Sequence, residues 1–200
     1  MEEESFKVIC IGESGTGAKT SLINNIIGQG LSYQSTTSCS FVTIYRKNYL
    51  GNKIRLDLWD TVGQETFRSL TKIFMKDSHC VILGYDITNK KTFEEIEYHY
   101  KTIKEILGDF PLIYLVANKI DLFTRKEVSE EEGISFAEKK DIKFFPVSAY
   151  TGAGIEYLVN DIVKSLTDKF LMKKEVDIKV KEIKGKKEIK ITKYQKKIKK

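Results

Sequence analysis

The chain has 200 residues, 41% of them hydrophobic, which is enough for one domain with a core plus an appendage. No apolar run approaches the roughly 18 residues of a membrane-spanning helix, and the acidic start Met1-Glu2-Glu3-Glu4 is unlike a secretory leader. The net charge of +6 is unevenly placed: residues 171–200 hold 13 lysines against four carboxylates, so residues 1–170 are net acidic, a globular part with a basic arm and not a basic nucleic-acid-binding domain.

Val8-Ile9-Cys10-Ile11 reads as a buried strand that stops at Gly12. After a glycine-rich stretch, Leu22, Ile23, Ile26 and Ile27 repeat at helical spacing. Phe41 to Tyr45 and Ile54 to Trp59 flank Leu50-Gly51-Asn52 and predict a hairpin. Val81 to Ile87 is a further apolar strand. Phe93, Ile96, Tyr100, Ile103 and Leu107 then step by three and four, and Thr92 with Glu95 has the spacing of a capping box at the start of that helix. Leu112 to Ala117 is a strand, and Ser129 with Glu132 repeats the capping signal before another helix. Lys143 to Val147 is the last strand, followed by an amphipathic helix through Ile155, Leu158, Val159, Ile162, Val163 and Leu166.

Strands alternating with helices predict an α/β fold with a mostly parallel sheet covered on both faces. Ligands bind such sheets at the carboxyl ends of the strands, where Gly12, Asp60, Asn118 and Ser148 all fall. Cys10, Cys39 and Cys80 lack metal-ligand spacing, and Cys10 and Cys80 are expected as buried thiols of a reducing compartment. His79 and His99 are expected to have no catalytic or metal-binding partner, with Tyr98-His99-Tyr100 forming one helix surface.

Gly12-Glu13-Ser14-Gly15-Thr16-Gly17-Ala18-Lys19-Thr20-Ser21 follows a strand and opens a helix. That context suits phosphate: backbone N–H groups and the helix N-terminus face the anion, and a lysine adds charge. The pattern G-x-x-x-x-G-K-[ST] is interrupted by Ala18, and two alignments compete. Either Ala18 is inserted and Lys19 and Thr20 keep their roles, or Ala18 replaces the lysine and phosphate binding is crippled. Helix register favours the insertion, because it turns Leu22 and Ile23 towards the core.

Asp60-Thr61-Val62-Gly63-Gln64-Glu65 follows another strand. Asp60 is placed to hold magnesium, Gly63 lets the backbone approach a terminal phosphate, and Gln64 can orient a water for in-line attack. Thr20 and Thr36 offer hydroxyls to complete the metal shell. In Asn118-Lys119-Ile120-Asp121 the carboxylate of Asp121 only accepts hydrogen bonds. Guanine presents two adjacent donors to it, whereas adenine presents an acceptor, so the clamp selects guanine. Ser148 and Ala149 follow the last strand, where a backbone N–H reaches a guanine carbonyl.

In this order the motifs resemble a Ras-superfamily small GTPase, most closely the Rab branch, over about Phe6 to Phe170. Trp59 to Glu65 is similar to the Rab W-D-T-A-G-Q-E with Val62 for alanine, and Phe67-Arg68-Ser69-Leu70 continues it. Tyr85-Asp86-Ile87-Thr88-Asn89 resembles Y-D-[VI]-T-N, Asn118 to Leu122 fits N-K-x-D-L, and Ser148-Ala149 fits S-A-K. The resemblance implies the P-loop small-GTPase fold, a six-stranded sheet flanked by about five helices. It implies a GTP/GDP switch with magnesium in vesicle-mediated protein transport, slow GTP hydrolysis, and control by exchange factors and GTPase-activating proteins. Effectors and regulators would engage residues around 34–45 and 60–76. The location implied is cytoplasmic, peripheral to intracellular membranes.

The departures are specific. Ala18 lengthens the phosphate loop, and Tyr150 stands where S-A-K has lysine. Thr36-Thr37-Ser38-Cys39-Ser40-Phe41 keeps the threonine but loses the family's glycine and apolar effector residues, and Ile73-Phe74-Met75-Lys76 replaces Y-Y-R. No cysteine follows Cys80, so the expected chain has no prenyl anchor. Residues 171–200 are expected as a solvated, disordered arm giving weak contact with anionic membrane, with a marginal hairpin as the alternative and no specific nucleic-acid binding. Two other functions compete with the switch: a pseudo-GTPase interaction module with weak or no nucleotide binding, and a P-loop ATPase, which Asp121 opposes.

Overall fold

The computed structural model describes residues 4–28, 40–61 and 73–172. Six strands form one sheet: β1 (Glu4–Ile11), β2 (Ser40–Lys47), β3 (Lys53–Asp60), β4 (Cys80–Asp86), β5 (Leu112–Asn118) and β6 (Lys143–Pro146). Their spatial order is β2-β3-β1-β4-β5-β6, and only β2 with β3 is antiparallel. The expected hairpin is that pair, in the register Phe41 opposite Trp59. In β3, Ile54, Leu56 and Leu58 are buried and alternate with half-buried Arg55, Asp57 and Trp59, as one face of a pleated strand requires. β4 is buried at every residue, because a central parallel strand is covered on both faces.

Helices cover the two faces. Those with α geometry are α1 (Thr20–Ile26), α2 (Lys90–Glu94), α3 (Ile96–Leu107), α4 (Glu130–Lys140) and α5 (Ile155–Leu166), and α5 runs on into a π-helical turn, Thr167–Met172. Val8, Cys10, Ile82 and Val116 pack with Leu22 of α1 and with all six expected α5 residues. Ile9, Ile11, Val81, Leu83 and Leu115 pack on the other face with Ile96 and Ile103 of α3 and Ala137 of α4. Each fully buried leucine, isoleucine or valine contributes about 1.5–3 kcal/mol. The six of α5 therefore dock it far more strongly than propensity forms it. None of the helices among the described residues is long and apolar enough to cross a membrane.

One capping expectation holds and one does not. Ser129 accepts from the Glu132 N–H at 3.2 Å while the Glu132 carboxylate accepts from the Ser129 N–H at 2.8 Å, a complete capping box. Thr92 and Glu95 form no such box. The chain turns helical earlier, at Lys90, because the Asn89 side chain accepts from the Lys91 N–H at 3.2 Å. Thr92 is buried; its hydroxyl donates to the Asn89 carbonyl at 2.7 Å and accepts from the Asp86 N–H at 3.0 Å. Cys10 and Cys80 are buried free thiols.

Parallel pairing sets the strand ends level. Cys10 of β1 lies opposite Asp60 of β3 and Ile82 of β4, and Asp86 of β4 lies opposite Asn118 of β5. The loops that leave these ends therefore meet on one edge of the sheet.

Candidate nucleotide-binding site

The loop 12–19 begins where β1 ends and folds back over it. Gly12 has φ +154°, and a Cβ there would sit 2.3 Å from the Gly84 carbonyl oxygen, so only glycine fits. Gly17 has φ +69°, and a Cβ would meet the Asn118 amide nitrogen at 2.8 Å. The buried Thr16 hydroxyl donates to the Glu13 carbonyl at 3.1 Å and tightens the turn. Ser14 and Gly15 are exposed on its rim, and Ser21 is half-buried in the first turn of α1.

Ala18 is absorbed as a widened turn. The Leu22 N–H donates to the Gly17 carbonyl at 3.1 Å, five residues back, and the ordinary four-residue spacing begins only with Ile23 to Lys19 at 2.9 Å. Lys19 consequently comes to the base of the loop. Its ammonium donates to the Gly12 carbonyl at 2.8 Å and the Glu13 carbonyl at 2.6 Å, with only 6% of the residue exposed. Burial pushes the Lys19 pKa down to about 8, although Asp60 and Glu13 pull it upward. The next residue, Thr20, donates its hydroxyl to the Asp60 carboxylate at 2.6 Å. A hydroxyl and a buried carboxylate side by side are hard oxygen donors, and they suit magnesium.

The second half of the site hangs from β5 and β6. Asn118 is 1% exposed and ties three loops together. Its amide donates to the Thr16 carbonyl at 2.8 Å and accepts from the Ala149 N–H at 2.9 Å. Lys119 takes a left-handed conformation, φ 68°, and its ammonium reaches the Gly15 carbonyl at 2.9 Å and the Asp86 carboxylate at 2.6 Å. Asp121 accepts from the Ser148 hydroxyl at 2.5 Å. Ser148 and Ala149 are buried, and Tyr150 beside them is 68% exposed.

The structure thus gathers Gly12 to Thr20, Asp60, Asn118, Lys119, Asp121, Ser148 and Ala149 on one sheet edge. Thr36, Gly63 and Gln64 lie outside the described residues, as does the tail beyond 172. Asp86 was not singled out from sequence for a role. It anchors Lys119 with one oxygen and takes the Thr88 N–H and hydroxyl on the other, at 2.8 and 2.7 Å. Its place at the carboxyl end of β4, level with Asn118, is the signal that could have found it. His99 has a structural partner: its Nε2 lies 2.9 Å from the Glu13 carboxylate and joins α3 to the loop 12–19. His99 is buried whereas Tyr98 is exposed, so the three residues do not share one surface.

A model of the Ras family matches residues 7–168, which span every one of these loops. Ras-related protein RabC of Dictyostelium discoideum is 34% identical over 187 residues, covering 89% of this chain and 94% of that protein. Ras-related protein Rab-21 of Homo sapiens is 36% identical over 166 residues, covering 82% of this chain and 73% of that protein. Ras-related protein Rab-26 of Mus musculus is 34% identical over 166 residues. On the family match over most of the chain, these identities and the six-stranded sheet, the chain belongs to the Ras family and is a Rab-like small GTPase, of a class of GTP hydrolases.

Proposed function

We propose that this chain binds GTP and GDP with magnesium, hydrolyses GTP slowly, and works as a switch in vesicle-mediated protein transport. The observation that carries this reading is the buried Lys19 ammonium beside the Thr20–Asp60 pair. Beyond the two carbonyls and the Asp60 and Glu13 charges that already offset its burial, this cation at the foot of a glycine loop would attract a phosphate group. Lys19 and the loop backbone would hold the phosphates. Thr20, Thr36 and Asp60 would hold magnesium, which when bound neutralises charge on the phosphate oxygens. Gly63 would let the backbone close on the terminal phosphate, and Gln64 would orient the attacking water. Asp121 would accept both guanine donors, held in place by Ser148, while Asn118 and Lys119 fix the phosphate loop to the base-facing loop.

The surface next to this site supports binding of regulators and effectors. Phe41 is 54% exposed and stacks on Trp59 at 4.9 Å and 18°, and Trp59 lies 6.0 Å from Phe74. Ile73 beside them is 60% exposed. An exposed aromatic ring stacked on half-buried ones is a typical anchor for a partner. The lysines of residues 173–200 would add weak, reversible contact with anionic membrane, about 1 kcal/mol for each one near the surface.

The test is single-turnover hydrolysis of GTP with magnesium by wild-type protein, Lys19→Ala and Gln64→Leu. The reading expects slow phosphate release by the wild type, loss of nucleotide retention in Lys19→Ala, and retention without turnover in Gln64→Leu. A wild-type protein that neither binds nor hydrolyses GTP would leave the competing reading, an interaction module on the same fold.

A further inference from the structure

The lengthened loop raises a packing problem that the loop alone does not solve. Ala18 adds a methyl group where backbone and anion should come close, yet the residue is completely buried. Its methyl is turned away from the loop mouth and onto β4. A Cβ built on Gly84 would lie 2.1 Å from the Ala18 Cβ. Two carbons cannot approach so closely, so any side chain at 84 excludes Ala18 from its seat. The row of β4 side chains on this face runs Cys80, Ile82 and then stops at Gly84, and the Ala18 methyl takes the next place. The same Gly84 contributes the carbonyl that crowds Gly12, so both ends of the loop rest on it.

We propose that Gly84 is a positioning residue for the nucleotide site, and that Gly84 and Ala18 form a coupled pair. The missing side chain on β4 receives the extra loop residue and so keeps Lys19 against the Gly12 and Glu13 carbonyls. This rests on the nucleotide-binding reading above. The pairing also explains how a loop one residue too long brings Lys19 and Thr20 to their partners. The extra residue spreads into the sheet instead of into the phosphate space.

The experiment moves the methyl from one partner to the other. Gly84→Ala brings the clash. Gly84→Ala/Ala18→Gly relieves it, because the next atoms a Cβ at 84 would meet are the Ala18 Cα at 3.5 Å and carbonyl oxygen at 3.6 Å, ordinary contacts. Release of fluorescent GDP and the melting temperature are measured for full-length wild type, both single variants and the double. Overpacking of this size should speed GDP release by Gly84→Ala roughly ten- to a hundredfold, and the double variant should recover most of that loss. Unchanged release in Gly84→Ala despite a lower melting temperature would reduce Gly84 to packing and overturn the proposal. A double variant as impaired as Gly84→Ala would overturn it equally. If Gly84→Ala yields no folded protein, a folded, GDP-retaining double variant supports the pairing and an unfolded one refutes it. If the wild type holds no nucleotide, the functional reading fails separately. Acetylation of Lys19 by acetic anhydride, read by mass spectrometry, then decides the pair: faster labelling in Gly84→Ala and recovery in the double supports it, and equal labelling refutes it.

Discussion

Asn118→Ala removes the side chain that holds the site together, and its cost can be worked from two bonds. The amide donates to the Thr16 carbonyl at 2.8 Å and accepts from the Ala149 N–H at 2.9 Å. Both bonds are buried, and alanine leaves a buried carbonyl and a buried N–H without these partners. Each such group costs about 1–3 kcal/mol, so the pair costs about 2–6 kcal/mol. In a domain of this size 1 kcal/mol moves the melting temperature by about 2–4 °C, so a fall of at least about 4 °C is expected. The two loops released, around Thr16 and Ala149, are those that the proposed function assigns to phosphate and base. If about 1.4 kcal/mol of the loss falls on the bound state, GDP leaves about tenfold faster. Melting followed by circular dichroism and chase of fluorescent GDP with excess unlabelled nucleotide measure both. A variant that melts within 1 °C of the wild type and releases GDP at the same rate would refute the claim that Asn118 couples the loops.

Three other outcomes follow from the geometry. Asp121→Asn replaces one acceptor by a donor, so it should weaken GDP binding at least about a hundredfold and improve binding of xanthosine diphosphate, whose base has a carbonyl in place of the amino group; unchanged preference in a competition assay would remove Asp121 from the base site. Thr20→Ala removes the hydroxyl 2.6 Å from Asp60, and GDP release from it in magnesium should be as fast as wild-type release in a chelator; release that magnesium still slows would contradict the metal assignment. Burial raises the Asp161 carboxyl, but hydrogen bonds from Lys143 at 2.6 Å and Tyr114 at 2.8 Å outweigh it and hold the group below the ordinary carboxylate range. Because the folded pKa lies below the unfolded one, this stabilisation is present above about pH 4 and drains away as pH falls through the lowered pKa. The melting gap between wild type and Asp161→Asn should therefore be widest near neutrality and close in acid; a gap independent of pH would show that the ionised form of Asp161 is not what stabilises.

What sequence could show was what is local. Alternation in Ile54, Leu56 and Leu58 gives the hairpin strand, because a one-residue slip would expose all three. The helical spacing of Ile155 to Leu166 gives α5, all six of whose expected residues are buried. Order along the chain gives the strand-end loops, since a parallel sheet brings their carboxyl ends to one edge. The Thr92–Glu95 capping signal misled because Asn89, three residues earlier, competes for the same N-terminus and wins. The contacts that sequence missed are between residues distant in the chain. Glu13 and His99 are 86 positions apart, and a glutamate beside a glycine loop carries no mark of a histidine on a later helix. Ala18 and Gly84 meet only through the β1–β4 pairing that stacks the loop on the strand. Gly84 within an apolar strand was the one visible hint, since a strand interior normally carries a side chain there.

The central claim is that the lengthened loop still holds a guanine nucleotide. The most direct test is the nucleotide content of the purified full-length protein, released by denaturation and resolved by anion-exchange chromatography. The account predicts close to one GDP or GTP per chain, lost on substitution of Lys19 by alanine. Protein that emerges empty, and stays empty after incubation with GTP and magnesium, would contradict it.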